Sequence, residues 1–69
     1  MRAREVNARI EQAGGVNAGQ RGSHRKYIVT VDGQAARTTV PQHTGDIPKG
    51  TLSAIERDLE PVLGKGWLR

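Results

Sequence analysis

Apolar side chains recur at Ala3, Val6, Ile10 and Ala13, in steps of three, four and three that draw one stripe along a helix. Arg2, Arg4, Arg9 and Glu11 fall off that stripe, and Glu5 precedes Arg9 by four residues, the favourable order for a helical ion pair. Gly14-Gly15 then offers the left-handed conformation that ends a helix. Val16 to Gln20 predicts a short first strand, although Asn17, Ala18 and Gly19 are poor strand formers. From His24 to Val31 the chain is β-branched and aromatic, Asp32-Gly33 is a two-residue hairpin turn, and Ala35 to Val40 returns as its partner up to Pro41. Such a loop fixes the register, with Val31 opposite Gln34, Val29 opposite Ala36, Tyr27 opposite Thr38 and Arg25 opposite Val40. Alternation puts Tyr27, Val29, Val31, Ala36, Thr38 and Val40 on the face that covers the core, and His24, Lys26, Ile28, Arg37 and Thr39 on the other. A second helix is expected to begin within Ile47 to Thr51, with Pro48 in its first turn and Leu52, Ile55, Leu59 and Val62 or Leu63 at helical spacing. Pro61 should end or kink it, because an interior proline loses a backbone hydrogen bond and crowds the preceding turn. The pattern predicts an α+β fold, a small α-β-β-β-α domain with two helices on one face of a three-stranded antiparallel sheet.

That element order is also the order of double-stranded-RNA-binding domains. With 69 residues the chain makes a single domain, 1–69, and a domain this small buries only about 60% of the surface that its unfolded form exposes. Phenylalanine is absent, so a partner or a second copy is a natural way to complete the core. The lack of cysteine excludes disulfides, thiolate metal sites and a cysteine nucleophile, and fits a reducing, cytoplasmic setting. No apolar run reaches the roughly 18 residues of a membrane span, and MRAREVNARI is not a signal peptide. The net charge of +4 is unevenly placed: residues 1–40 carry seven Lys/Arg against three acids, whereas residues 41–69 carry four of each. A basic surplus of this kind attracts phosphate, which points to nucleic acid without specifying it.

Within the basic half, Gln20-Arg21-Gly22-Ser23-His24-Arg25-Lys26-Tyr27 gathers the candidate chemistry. Cleaving an RNA phosphodiester needs a base for the attacking oxygen, an acid for the leaving 5′ oxygen and donors for the phosphoryl charge. Imidazole serves as either acid or base near neutrality, so His24 is the candidate catalyst. Arg21, Arg25 and Lys26 are candidate phosphate contacts, Gly22 permits close approach of a nucleic-acid backbone, and Ser23 can donate to phosphate. As a bare motif Gly-Ser-His is weak, since a histidine beside a glycine turn is more often an ordinary surface residue. His43, in PQHTGD, reads either as a second candidate or as part of a loop that leads into the last helix. Lys49 and Thr51 stand at that helix's start, where an anion is favoured; equally, Thr51 is a cap and Lys49 a solvated charge. Arg2, Arg4 and Arg9 form either a phosphate-tracking edge or a solvated helix face, and Trp67 is expected against the core rather than on a base. Two distant histidines without paired carboxylates make no zinc or magnesium site, and no cofactor is expected.

Taken in order, REVNARIEQAG, the Gly22-Ser23-His24 motif, the hairpin ending at Val40-Pro41 with His43, and Asp46-Ile47-Pro48-Lys49-Gly50-Thr51-Leu52 leading into Ile55 resemble the HicA-type toxins. These are small ribosome-independent mRNA interferases of toxin–antitoxin pairs. The resemblance implies a double-stranded-RNA-binding-domain-like fold, metal-independent RNA cleavage with His24 as the essential residue, and a HicB-type antitoxin that covers the active site. The sequence departs from the family in its first helix and first strand, where Ala8, Asn17, Ala18 and Gly19 replace bulkier residues. With one histidine in reach, water or a basic side chain takes the second proton. Two other readings use the same residues: a non-catalytic module that binds double-stranded RNA by shape, and an interaction protein that docks a partner on the open face carrying Ile28 and Arg37.

Overall fold

A computed structural model describes residues 1–69 and gives the order α1 (Ala3–Gln12), β1 (Val16–Arg21), β2 (His24–Val31), β3 (Gln34–Pro41) and α2 (Lys49–Leu63). The three strands form one antiparallel sheet in the order β1-β2-β3. Between β2 and β3 the register is the one that Asp32-Gly33 dictates, with Val31 opposite Gln34, Tyr27 opposite Thr38 and Arg25 opposite Val40. Asp32 and Gly33 take φ of 51° and 80°, the paired positive values of a type I′ turn, whose twist matches that of the strands. The β1–β2 turn has a positive φ at Gly22 alone, and β1 carries a bulge between Asn17 and Gly19.

Both helices pack on the same face of the sheet. Ala3, Val6 and Ile10 from α1, Tyr27, Val29 and Val40 from the strands, and Ile55 and Leu59 from α2 join Ile47 and Leu68 in one buried cluster. In α1 the predicted stripe is the buried one, with Asn7 added to it. At the helix start the Arg2 backbone N–H donates to Glu5 Oε1 at 3.0 Å, which satisfies an orphan donor and sets an acid against the positive helix end. Polar side chains tie the layers together. The Thr38 hydroxyl of β3 donates to Asp58 of α2 at 3.0 Å, and the Tyr27 hydroxyl of β2 donates to Glu11 of α1.

Pro61 does not end α2, one of the two outcomes expected of it from sequence. The helix continues to Leu63 and stops at Gly64, whose φ is 85°. A proline at this position leaves the carbonyl four residues earlier, that of Arg57, without its donor. Against that loss, Val62 and Leu63 pack on the core, and the Trp67 indole donates to the neighbouring Glu56 carbonyl at 2.8 Å. Pro48 is the N-cap of α2 rather than part of its first turn, and no side chain caps this end, so Thr51 is not a cap. No helix is long and apolar enough to cross a membrane.

Candidate nucleic-acid interface

Cross-strand partners share a face, so the register defines what the open side of the sheet presents. At one end Arg21, His24 and Pro41 lie abreast; next come Gly19, Lys26 and Thr39, and then Val16, Ile28 and Arg37. None of these outward residues, nor Thr30 and Ala35 beyond them, is an acid. His24 is exposed, as are Arg21, Lys26, Arg37 and Thr39. Four residues of strand, about 13 Å, separate the His24 row from the Ile28 row. A shallow depression of about 450 Å³ is bordered by Lys26, Ile28, Arg37 and Thr39 of this face together with Tyr27, Thr38 and Asp58 from the side that carries the helices. Its one carboxylate, Asp58, already accepts the Thr38 hydroxyl.

The turn that precedes His24 is short because Gly22 accepts a φ of 59°, and a Cβ there would meet nothing within 4 Å. The carbonyl of Gly22 accepts from Gln20 Nε2 at 2.9 Å, and the carbonyl of Ser23 accepts the backbone N–H of Gln42. These bonds fix both sides of the bend, so His24 begins β2 at a determined place on the open face.

Of the residues singled out by sequence, Arg21, Gly22, Ser23, His24 and Lys26 come together at one end of the sheet. Arg25 does not join them. It lies opposite Val40, on the side that faces the helices, where its Nε donates to Gln20 Oε1 at 2.9 Å and its charge lies near the Tyr27 hydroxyl. Lys49 and Thr51 open α2, which packs behind the sheet, so neither shares a face with His24. Arg9 is not free for a phosphate edge either: its Nη1 donates to the Leu68 carbonyl at 3.2 Å and reaches that of Arg69 at 3.5 Å. Trp67 sits half-buried against the core, as expected. Arg37 is the cation that a search around the Gly-Ser-His motif misses. The hairpin register already places it beside Ile28, two rows from His24.

Tyr27 is buried beneath this face, and burial, reinforced by its hydrogen bond to Glu11, raises its phenol pKa above the usual 10.0; the nearby Arg25 charge opposes the shift. No three His, Cys, Asp or Glu side chains converge anywhere in the molecule.

Fold and surface define a small basic α+β domain that carries an exposed histidine and several cations on an open sheet face whose outward strand residues include no acid. The chain matches the model of the HicA toxin of bacterial toxin–antitoxin systems over residues 3–60, and it belongs to that family. It is therefore the toxin of a toxin–antitoxin pair, with an antitoxin as partner. No curated protein and no solved structure matches it.

Proposed function

We propose that the protein is a ribosome-independent mRNA interferase that acts in the cytoplasm, cleaves RNA by metal-independent general acid–base catalysis at His24, and is silenced by a HicB-type antitoxin covering that site. The observation that carries this reading is the company His24 keeps. The imidazole is exposed on a face with Arg21 beside it and Lys26 and Arg37 further along, and no residue that the strand register points outward there is an acid.

In the reaction, the attacking ribose oxygen loses its proton as its bond to phosphorus forms. The bond from phosphorus to the 5′ oxygen breaks, and that oxygen gains a proton. His24 carries one of the two transfers, and water or a basic side chain carries the other. Arg21 and Lys26 hold the scissile phosphate and offset the charge that builds on its free oxygens. Gly22, without a side chain, lets the backbone come close, and Ser23 follows it in the same turn. Arg37 holds a phosphate further along the strand.

Cleavage of a labelled RNA by wild type and His24→Ala tests the proposal. A fall in rate of about 10²-fold or more, with RNA binding retained, is expected if His24 moves a proton. Undiminished cutting by the variant would sink the assignment. RNA binding by wild type without any cleavage would instead favour the non-catalytic double-stranded-RNA module.

A further inference from the structure

The sheet face does not account for the cations of the first helical turn or for His43. Arg2 and Arg4 of that turn and residues Gln42, His43, Thr44 and Gly45 line a groove of about 230 Å³ beside the Gly22-Ser23 bend. Two guanidinium groups and an imidazole border it, and no acid does. Two carboxylates lie next to Arg2 but outside the lining: Glu5 accepts the Arg2 backbone N–H at 3.0 Å, and Asp46, paired with Arg2 by a backbone bridge, lies 3.8 Å from the N-terminal amine. Arg2, Arg4, His43 and Thr44 are exposed, and none of their side chains donates a hydrogen bond within the protein. Arg9, in the next turn of the same helix, contrasts with them because it is occupied by the tail.

The groove is also held in register with His24. Pro41 lies opposite His24, the Gln42 N–H donates to the Ser23 carbonyl, and the Gln42 side chain is locked to Asn7 of α1. His43 follows Pro41 by two residues, so its Cα lies within about 7 Å of that of Pro41. Paired strand residues are about 5 Å apart. The groove therefore starts within about 12 Å of His24, a span that a few nucleotides cover.

We propose that this groove is a second RNA-backbone site, in which Arg2, Arg4 and His43 hold phosphates on one flank of the scissile bond while Lys26 and Arg37 hold those on the other. The site rests on the RNA-cleavage reading and extends it: the substrate is a single strand that crosses the Gly22-Ser23 bend from the α1 side to the open sheet. The occupant is a chain of phosphodiesters rather than a lone anion, because a strand held by Lys26 and Arg37 continues past the bend toward these cations.

The test measures binding of a labelled single-stranded oligoribonucleotide by His24→Ala protein as salt is varied. Adding Arg2→Gln and Arg4→Gln should weaken affinity about tenfold near 50 mM salt and lower the slope of log K against log salt by about 1.4, at roughly 0.7 for each phosphate no longer neutralised. A control with the same charge change, Arg57→Gln with Lys65→Gln, should leave the slope unaltered. If the arginine substitutions disturb folding, His43→Gln supplies an independent reading, with a smaller weakening in the same direction. An unchanged slope, or an equal change in the control, would overturn the groove while leaving cleavage by wild type untouched. Groove-dependent binding by a chain that never cuts RNA would support the groove and refute the nuclease.

Discussion

Asn7 and Gln42 hold their side-chain amides face to face: Asn7 Nδ2 donates to Gln42 Oε1 at 2.8 Å, and Gln42 Nε2 donates to Asn7 Oδ1 at 3.1 Å. Asn7 is buried in α1, and Gln42 follows directly after β3, so the pair locks the helix to the end of the sheet that bears His24. Asn7→Ala leaves Gln42 Oε1 without its donor in a half-buried position, although Nε2 keeps the Val40 carbonyl at 3.1 Å, at an expected cost of about 1–3 kcal/mol. Gln42→Ala should cost a similar amount. Chemical denaturation of the two variants and their double should show a combined loss clearly below the sum of the singles. Additive losses would mean that the amides do not act as a unit.

The two faces of β2 separate cations that are adjacent in sequence. Arg37→Gln, on the His24 side, is expected to lower kcat/KM for RNA several-fold at low salt, with the difference shrinking as salt rises, the behaviour of a cation removed from a phosphate. Arg25→Gln should change that parameter less than twofold, since the hydrogen bond it loses is internal and partly exposed, worth about 1 kcal/mol of stability at most. Steady-state kinetics at two ionic strengths distinguishes them, and a larger kinetic effect from Arg25 would contradict the facing described above.

Tyr27 predicts an alkaline limit to stability. Burial and the hydrogen bond to Glu11 favour the neutral phenol in the folded protein, so its native pKa lies above the 10.0 of the unfolded chain. The associated stability is whole below pH 10 and is lost as the pH climbs from there toward the raised native value. Melting temperatures measured upward from pH 9 should fall more steeply for wild type than for Tyr27→Phe. Parallel curves would exclude Tyr27 as the group responsible.

Gly15 is required by steric crowding rather than by backbone angle. A Cβ built there lies 2.3 Å from Ile10 Cγ2 and 2.7 Å from the Ile10 carbonyl oxygen, and Ile10 is wholly buried. Gly15→Ala therefore forces the core side of α1 to shift, at about 1–3 kcal/mol. Gly14→Ala meets nothing within 4 Å, but its φ of 96° makes it strained for a different reason. A refined structure of Gly15→Ala should show Ile10 displaced; an unmoved Ile10 would refute the steric account.

Local rules carried the reading from sequence as far as local forces decide. Asp32-Gly33 has one favourable hairpin geometry, so the β2–β3 register and the two faces of the sheet were legible down to individual residues. The same alternation already placed Arg25 on Tyr27's side of β2, although proximity along the chain had grouped it with His24. Pro61 left two outcomes open because helix propensity is set against packing that only the assembled tail provides. The groove was hidden for a similar reason. Arg2 and His43 are far apart in sequence, and what brings their segments together is the Asn7–Gln42 amide pair and the backbone bridge of Arg2 with Asp46, which no spacing rule announces.

Leu68 is the last residue to enter the core, and Arg9 of the first helix holds its carbonyl. Leu68 thus ties the tail into the cluster that holds Ile10 and Leu59, and trimming the last two residues would open the seam between α1 and α2.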